Sequence, residues 1–249
     1  MVFLAGCSGD AEQPVEPDAT TAGAGPRPLT SEEAERLAVA RFRNYDDGVR
    51  EVSFEVTDSG VTYAVDAWVD WVNHVGYGAV ADAAGSESLL LAWTPSGLST
   101  YPWTPGEPAP LPAPGLAGAA AQEWTSSELA PDASRLHTLL ALVVDLGADR
   151  PDNALLLSQT DARWLRVDDV DGVSVDVIAG PTADVVYDPA TSTAAGDGSD
   201  ATVRYWVTDD GTILRLEVRL GGAGEWTPVE FGPAADVEFA QDFLGGEGG

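Results

Sequence analysis

Two spacings of apolar residues alternate along the chain beyond residue 28. Thr30-Ser31-Glu32-Glu33 has the form of a capping box, with Thr30 as N-cap and Glu33 three residues on. Ala34, Leu37, Ala38, Phe42 and Tyr45 then recur at helical spacing, which predicts an amphipathic helix to about Asn44. After Asp46-Asp47-Gly48 the period changes. Val52, Phe54 and Val56 alternate with Ser53 and Glu55, and past the turn Asp58-Ser59-Gly60 the alternation resumes at Val61, Tyr63, Val65, Ala67, Val69 and Trp71, so a hairpin is expected. Further strands are predicted over Val75 to Ala81, Leu89 to Thr94 and Leu98 to Tyr101.

Between Tyr101 and Gly118 six prolines exclude a helix or a central strand, and an exposed loop is expected over 101–118. Leu136, Leu139, Leu140, Val143, Val144 and Leu146 form the stripe of a second helix, starting near Asp132 or Ser134 and ending at Gly147. Strands return at Ala162 to Val167 and Val173 to Ile178 around the turn Asp168 to Gly172. Another pair, Thr202 to Val207 and Ile213 to Leu220, flanks Asp209-Asp210-Gly211, and Trp226 to Phe231 closes the series. The sum is an α+β fold: nine or ten antiparallel strands in a large curled sheet, a half-open barrel covered by two or more helices. The glycine-rich 232–249 reads as a flexible tail.

Charge narrows the partners. The 249 residues carry 41 acids and 12 bases, a formal net charge of −29, and every base is arginine. From Glu51 to Ser134 there is no base at all, so the basic stripe that a nucleic acid requires is missing, as is one for an anionic lipid surface. The acidity itself reads as a solvated surface.

One cysteine permits no intramolecular disulfide. Its setting, Leu4-Ala5-Gly6-Cys7, is similar to the lipobox of bacterial lipoproteins, in which the cysteine becomes the lipidated N-terminus of the mature chain. Residues 1–6 are then the remnant of a signal peptide whose true start lies upstream, since they hold no basic n-region and too short an apolar one. Residues 7–28, rich in Gly, Pro, Ala, Thr and acids, form the expected tether. The expectation is a cell-envelope protein on the outer face of a membrane, anchored through Cys7 by lipid alone.

Trp164-Leu165-Arg166-Val167, Asp171-Gly172, Tyr205-Trp206-Val207-Thr208-Asp209-Asp210-Gly211 and Leu214-Arg215-Leu216-Glu217, in this order after a lipobox, a capped helix and a run of hairpins, resemble actinobacterial lipoproteins of the LppX/LprG type. Those share the half-open barrel of the lipoprotein carrier LolA. The resemblance covers 29–231 and implies one domain with an apolar cavity that carries lipid or another hydrophobic ligand. Candidates to line it are Phe54, Tyr63, Trp68, Trp71, Trp93, Trp164 and Trp206, with Leu139, Leu140 and Val143 from the second helix; Trp68 and Trp71, three apart in a strand, face opposite sides. A second reading keeps the core solid and gives the exposed sheet or the proline-rich loop to an envelope protein partner.

No catalytic constellation stands out. A Gly-x-Ser-x-Gly elbow is absent, His74 and His137 are the only histidines, and Gly76-Tyr77-Gly78 opens no helix. The Asp-rich stretches before Gly172 and Gly211 lack the twelve-residue pattern of a calcium loop and read as turns. The chain is therefore read as a non-enzyme without metal or cofactor.

Overall fold

The computed structural model describes residues 25–111, 123–182, 197–221 and 225–239. Cys7, the tether before Gly25, positions 112–118 of the proline-rich loop and the tail beyond Phe239 lie outside them.

Thr30 caps α1 (Ser31–Asp47). Its hydroxyl accepts from the Glu33 N–H at 3.3 Å, and the Glu33 carboxylate accepts from the Thr30 N–H at 2.8 Å, so the reciprocal box forms. Glu33 is only 5% exposed and also holds Arg27 through two bonds of 2.7 and 2.6 Å. Burial raises its carboxyl pKa, but the bonds from Arg27 and Thr30 outweigh that and hold it below the ordinary 4.5. A depressed carboxyl contributes stability that is complete above its unfolded value and fades as pH falls through the lower folded one. Glu33→Gln is expected to cost about 1 kcal/mol at neutral pH and to flatten the acid limb of a urea-midpoint profile; an unchanged profile would show that the box contributes nothing.

The strands are β1 (Arg27–Pro28), β2 (Val49–Asp58), β3 (Val61–Asp70), β4 (Val75–Asp82), β5 (Ser88–Trp93), β6 (Gly97–Pro102), β7 (Thr125–Glu128), β8 (Arg163–Val170), β9 (Val173–Ala179), β10 (Val203–Val207), β11 (Ile213–Arg219) and β12 (Trp226–Ala234). They form one antiparallel, unclosed sheet in the order β1-β8-β9-β10-β11-β12-β2-β3-β4-β5-β6-β7. Two runs of hairpins, β2 to β7 and β8 to β12, meet where β12 pairs with β2. The expected turns fall at Ser59-Gly60, Asp171-Gly172 and Asp209 to Gly211.

Helices occupy one face. α2 (Arg135–Val144), capped by Ser134, packs on β2, β3 and β4; α1 lies over β10 and β2, with α3 (Ala154–Ser158) beside it. The main core lies beneath them: Val52, Phe54 and Val56 of β2, Val65, Ala67 and Val69 of β3, Leu216 and Val218 of β11, and Leu139, Leu140, Val143 and Val144 of α2. Trp71 and Trp93 rise from the sheet into α2, their indole N–H groups donating to the carbonyls of Val143 (2.8 Å) and Leu140 (3.0 Å). Gly76 makes room, because a Cβ there would stand 2.1 Å from the Trp93 ring.

The opposite face bears no helix among the described residues. One rung of the ladder crosses it as Val177, Trp206, Arg215, Glu230, Ser53, Asp66, Ala79, Leu90 and Tyr101. Its ends are apolar and its middle polar. Val175, Val177 and Trp206 form a small cluster at one end, and Tyr77, Leu90, Trp124 and Phe239 belong to a larger one at the other.

Several boundaries differ from expectation. Arg27–Pro28, assigned to the tether, is strand β1, held on Arg163-Trp164 with the Arg27 guanidinium 4.4 Å from the Trp164 ring. The tail does not begin at 232: Gly232–Ala234 complete β12, and Phe239 packs edge-on to Tyr77 at 6.4 Å. The proline-rich segment is partly buried, since Ala109 is 8% exposed and the Tyr77 hydroxyl donates to the Pro110 carbonyl at 3.0 Å. β1, β7 and α3 add to the expected elements, and α1 runs three residues further than Asn44.

Candidate functional site

The ten residues expected to line a cavity do not surround one space. Phe54, Tyr63, Trp71, Trp93, Leu139, Leu140 and Val143 belong to the packing between α2 and the sheet, all but Tyr63 at 5% exposure or less. Trp164 lies on the same face near α1, where its N–H donates to Asp176 at 2.7 Å and Asp176 also takes Arg36. Trp68 and Trp206 project from the helix-free face. Trp68 stacks on Tyr77 with centroids 6.4 Å apart, and Trp206 donates to Asp168 at 2.9 Å beside Arg166 and Arg215. Around α2 the side chains expected to frame an open cavity are core, because two indoles spend their N–H groups on helix carbonyls and fill the space.

The helical face does open at its seam. Where α2 and α1 part, a cleft of about 570 Å³ is lined by Ala141, Leu142 and Leu146, by Val203 and Tyr205 of β10, and by Pro95, Arg41 and Asp145. Arg41 donates to the Asp145 carbonyl at 3.0 Å, tying the helices at the mouth. Burial holds the Tyr205 phenol above its ordinary range, so it lines the cleft as a neutral group. Sequence periodicity passes over this site, since Ala141 and Leu142 fall off the buried stripe of α2. The readable signal is an apolar Leu142 on the face that the stripe leaves to solvent.

A larger groove, about 850 Å³, crosses the helix-free face. Ala64 of β3 and Ala79 and Ala81 of β4 make its floor. Trp68 and Pro108 stand toward one end and Val170 and Leu214 toward the other, and six carboxylates (Glu51, Asp66, Glu107, Asp169, Asp171, Glu230) line it with one cation, Arg215. Arg215 pairs with Glu217 at 3.1 Å and Glu230 at 3.4 Å. Burial pushes the Glu230 carboxyl above its ordinary value; Arg215 opposes this, and Asp171 and Glu217 add to it.

The histidines sit toward opposite ends of α2. His74 Nδ1 is 3.2 Å from the Val144 carbonyl, and His137 Nδ1 accepts the Ala130 N–H at 3.1 Å. Among the described residues no helix is long and apolar enough to cross a membrane.

No family model matches the chain. No curated protein matches it either. The solved structures similar to it include two that it covers over most of their length. A DUF1329 family protein from Desulfovibrio piger has 11% identity and a TM-score of 0.35, with 86% of this chain and 96% of that one covered. A putative outer membrane lipoprotein-sorting protein domain from Vibrio parahaemolyticus has 8% identity and a TM-score of 0.23, covering 86% and 97%. At these TM-scores neither likeness carries an argument about function.

Proposed function

We propose that this chain is a lipoprotein tethered by Cys7 to the outer face of a membrane, binding or carrying an acyl chain or similar hydrophobic ligand without chemistry of its own. The observation that carries the reading is the cleft at the α1–α2 seam. Apolar side chains stand part-exposed there, next to a packed core, in a volume within the ~300–1,000 Å³ typical of small-molecule sites. Each methylene moved from water into such a cleft gains about 0.8 kcal/mol. The lipobox-like Leu4-Ala5-Gly6-Cys7 supports the anchor.

One experiment reads both parts. The full chain, expressed behind a complete export signal, is fractionated, then purified and titrated with a fluorescent long-chain fatty acid. Wild type is expected in the membrane fraction and to take up the probe. Cys7→Ala should move it to the soluble fraction, and Ala141→Trp, which fills the cleft, should weaken uptake about tenfold, the equivalent of losing two buried methylenes. A Cys7→Ala protein still in the membrane overturns the anchor. Probe uptake that is absent, or unaltered by Ala141→Trp, overturns the site.

A further inference from the structure

We infer that the groove on the helix-free face is a second binding site, taking a basic, amphipathic segment of a partner protein. Its depth comes from the sequence of β3 and β4. Ala64 stands opposite Ala81 in the ladder, and Ala79 stands opposite Asp66, so three methyl groups occupy positions where neighbouring strands carry larger side chains. A recess with an alanine floor accepts one aliphatic side chain. The hairpin tip at Val170-Asp171 and the segment Gly106 to Ala109 bound it, and the latter is held down by the bond from Tyr77 to Pro110.

The walls specify charge. Six carboxylates against one arginine leave an unneutralised acidic lining, whereas on the neighbouring strands Arg204 and Glu217 pair at 3.6 Å. Trp68, only part-buried, presents an aromatic surface at the same place, and a cation near such a ring and near carboxylates is favoured twice. Among the described residues no group of three or more acids, histidines or cysteines stands close enough to grip a metal ion. An apolar floor between acidic walls complements a strand or helix turn that alternates Lys or Arg with Leu-sized residues.

The test is calorimetric titration of the full chain with a synthetic peptide of alternating lysine and leucine, with a lysine–serine peptide of equal charge as comparison. The lysine–leucine peptide is expected to bind at least about tenfold more tightly, with affinity falling as salt rises. Asp66→Asn with Glu230→Gln should weaken it about tenfold, as should Ala79→Leu, which fills the recess and leaves every charge in place. Neutralising Glu32, Glu35 and Glu128, all exposed and outside the groove, should leave it unchanged. Equal binding of the two peptides, or an Ala79→Leu variant that binds as wild type, overturns the site. So does equal loss on neutralising the distant acids, which would reduce the effect to diffuse charge.

Discussion

Truncating Trp71 to alanine is expected to destabilise the fold by about 3–5 kcal/mol, the range for removing a fully buried large aromatic ring. Trp71 has no exposed surface, touches Phe231 with centroids 6.1 Å apart, and donates to the Val143 carbonyl near the C-terminal end of α2. The chain after α2 is shaped to it, since a Cβ on Gly147 would lie 2.5 Å from the Trp71 Cβ. The loss therefore combines a cavity, a bond to the helix and the seat of the segment that leads from α2 to α3. Trp71→Phe keeps most of the volume and removes the N–H, so it separates the packing from the bond and should cost about 1–2 kcal/mol. Denaturant unfolding followed by tryptophan fluorescence checks both. A cost below about 1 kcal/mol for the alanine variant would mean that α2 does not depend on this ring.

Gly78→Val is expected to be the more damaging of the two. A Cβ at Gly78 would stand 2.3 Å from the Asp66 carbonyl oxygen and 2.4 Å from the Ala67 Cα, both backbone atoms of β3, so no rotamer change relieves the clash. Strands β3 and β4 must be pushed apart in mid-sheet. That exceeds the ~1–3 kcal/mol of ordinary overpacking, and loss of soluble protein or a fall in melting temperature of tens of degrees should follow. Gly76→Ala is the informative partner. Its obstacle is the Trp93 ring rather than backbone, so that variant should fold with α2 shifted and with altered near-UV circular dichroism. If Gly78→Val melted within a few degrees of wild type, the close approach of β3 and β4 at this rung would be wrong.

Most of the architecture was legible in the chain because its elements announce themselves locally. Thr30 with Glu33, the Asp-Gly turns and the period-two runs of β2, β3, β9 and β11 each depend on neighbours in sequence, and each stands where it was expected. β1 was not legible: Arg27–Pro28 is a strand only because Trp164 and Glu33 wait for it, and both contacts are distant or lateral. β7, with the sequence Thr-Ser-Ser-Glu and every residue exposed, has no apolar face to read and exists by pairing with β6 alone. The candidate site fared differently. Alternation places Trp68 and Trp71 on opposite faces, and they are, but it carries no information on whether an inward ring borders a space or fills it. That was decided by two hydrogen bonds to α2 that no spacing encodes. The groove is not legible in the sequence, because its floor is made of alanines and its acidic walls come from strands and loops far apart in the chain.

Phe54 meets Val229 across the junction of β2 and β12, so the two runs of hairpins are joined by residues from near opposite ends of the chain. Each run can zip locally as it is made, but β2 keeps one edge bare until β12 arrives. Folding of such a topology is slow to finish, with its last loop closure the largest. The pairing of β12 therefore serves as the completion step of the whole sheet, and a chain cut short before it would leave β2 with an unpaired edge open to other strands.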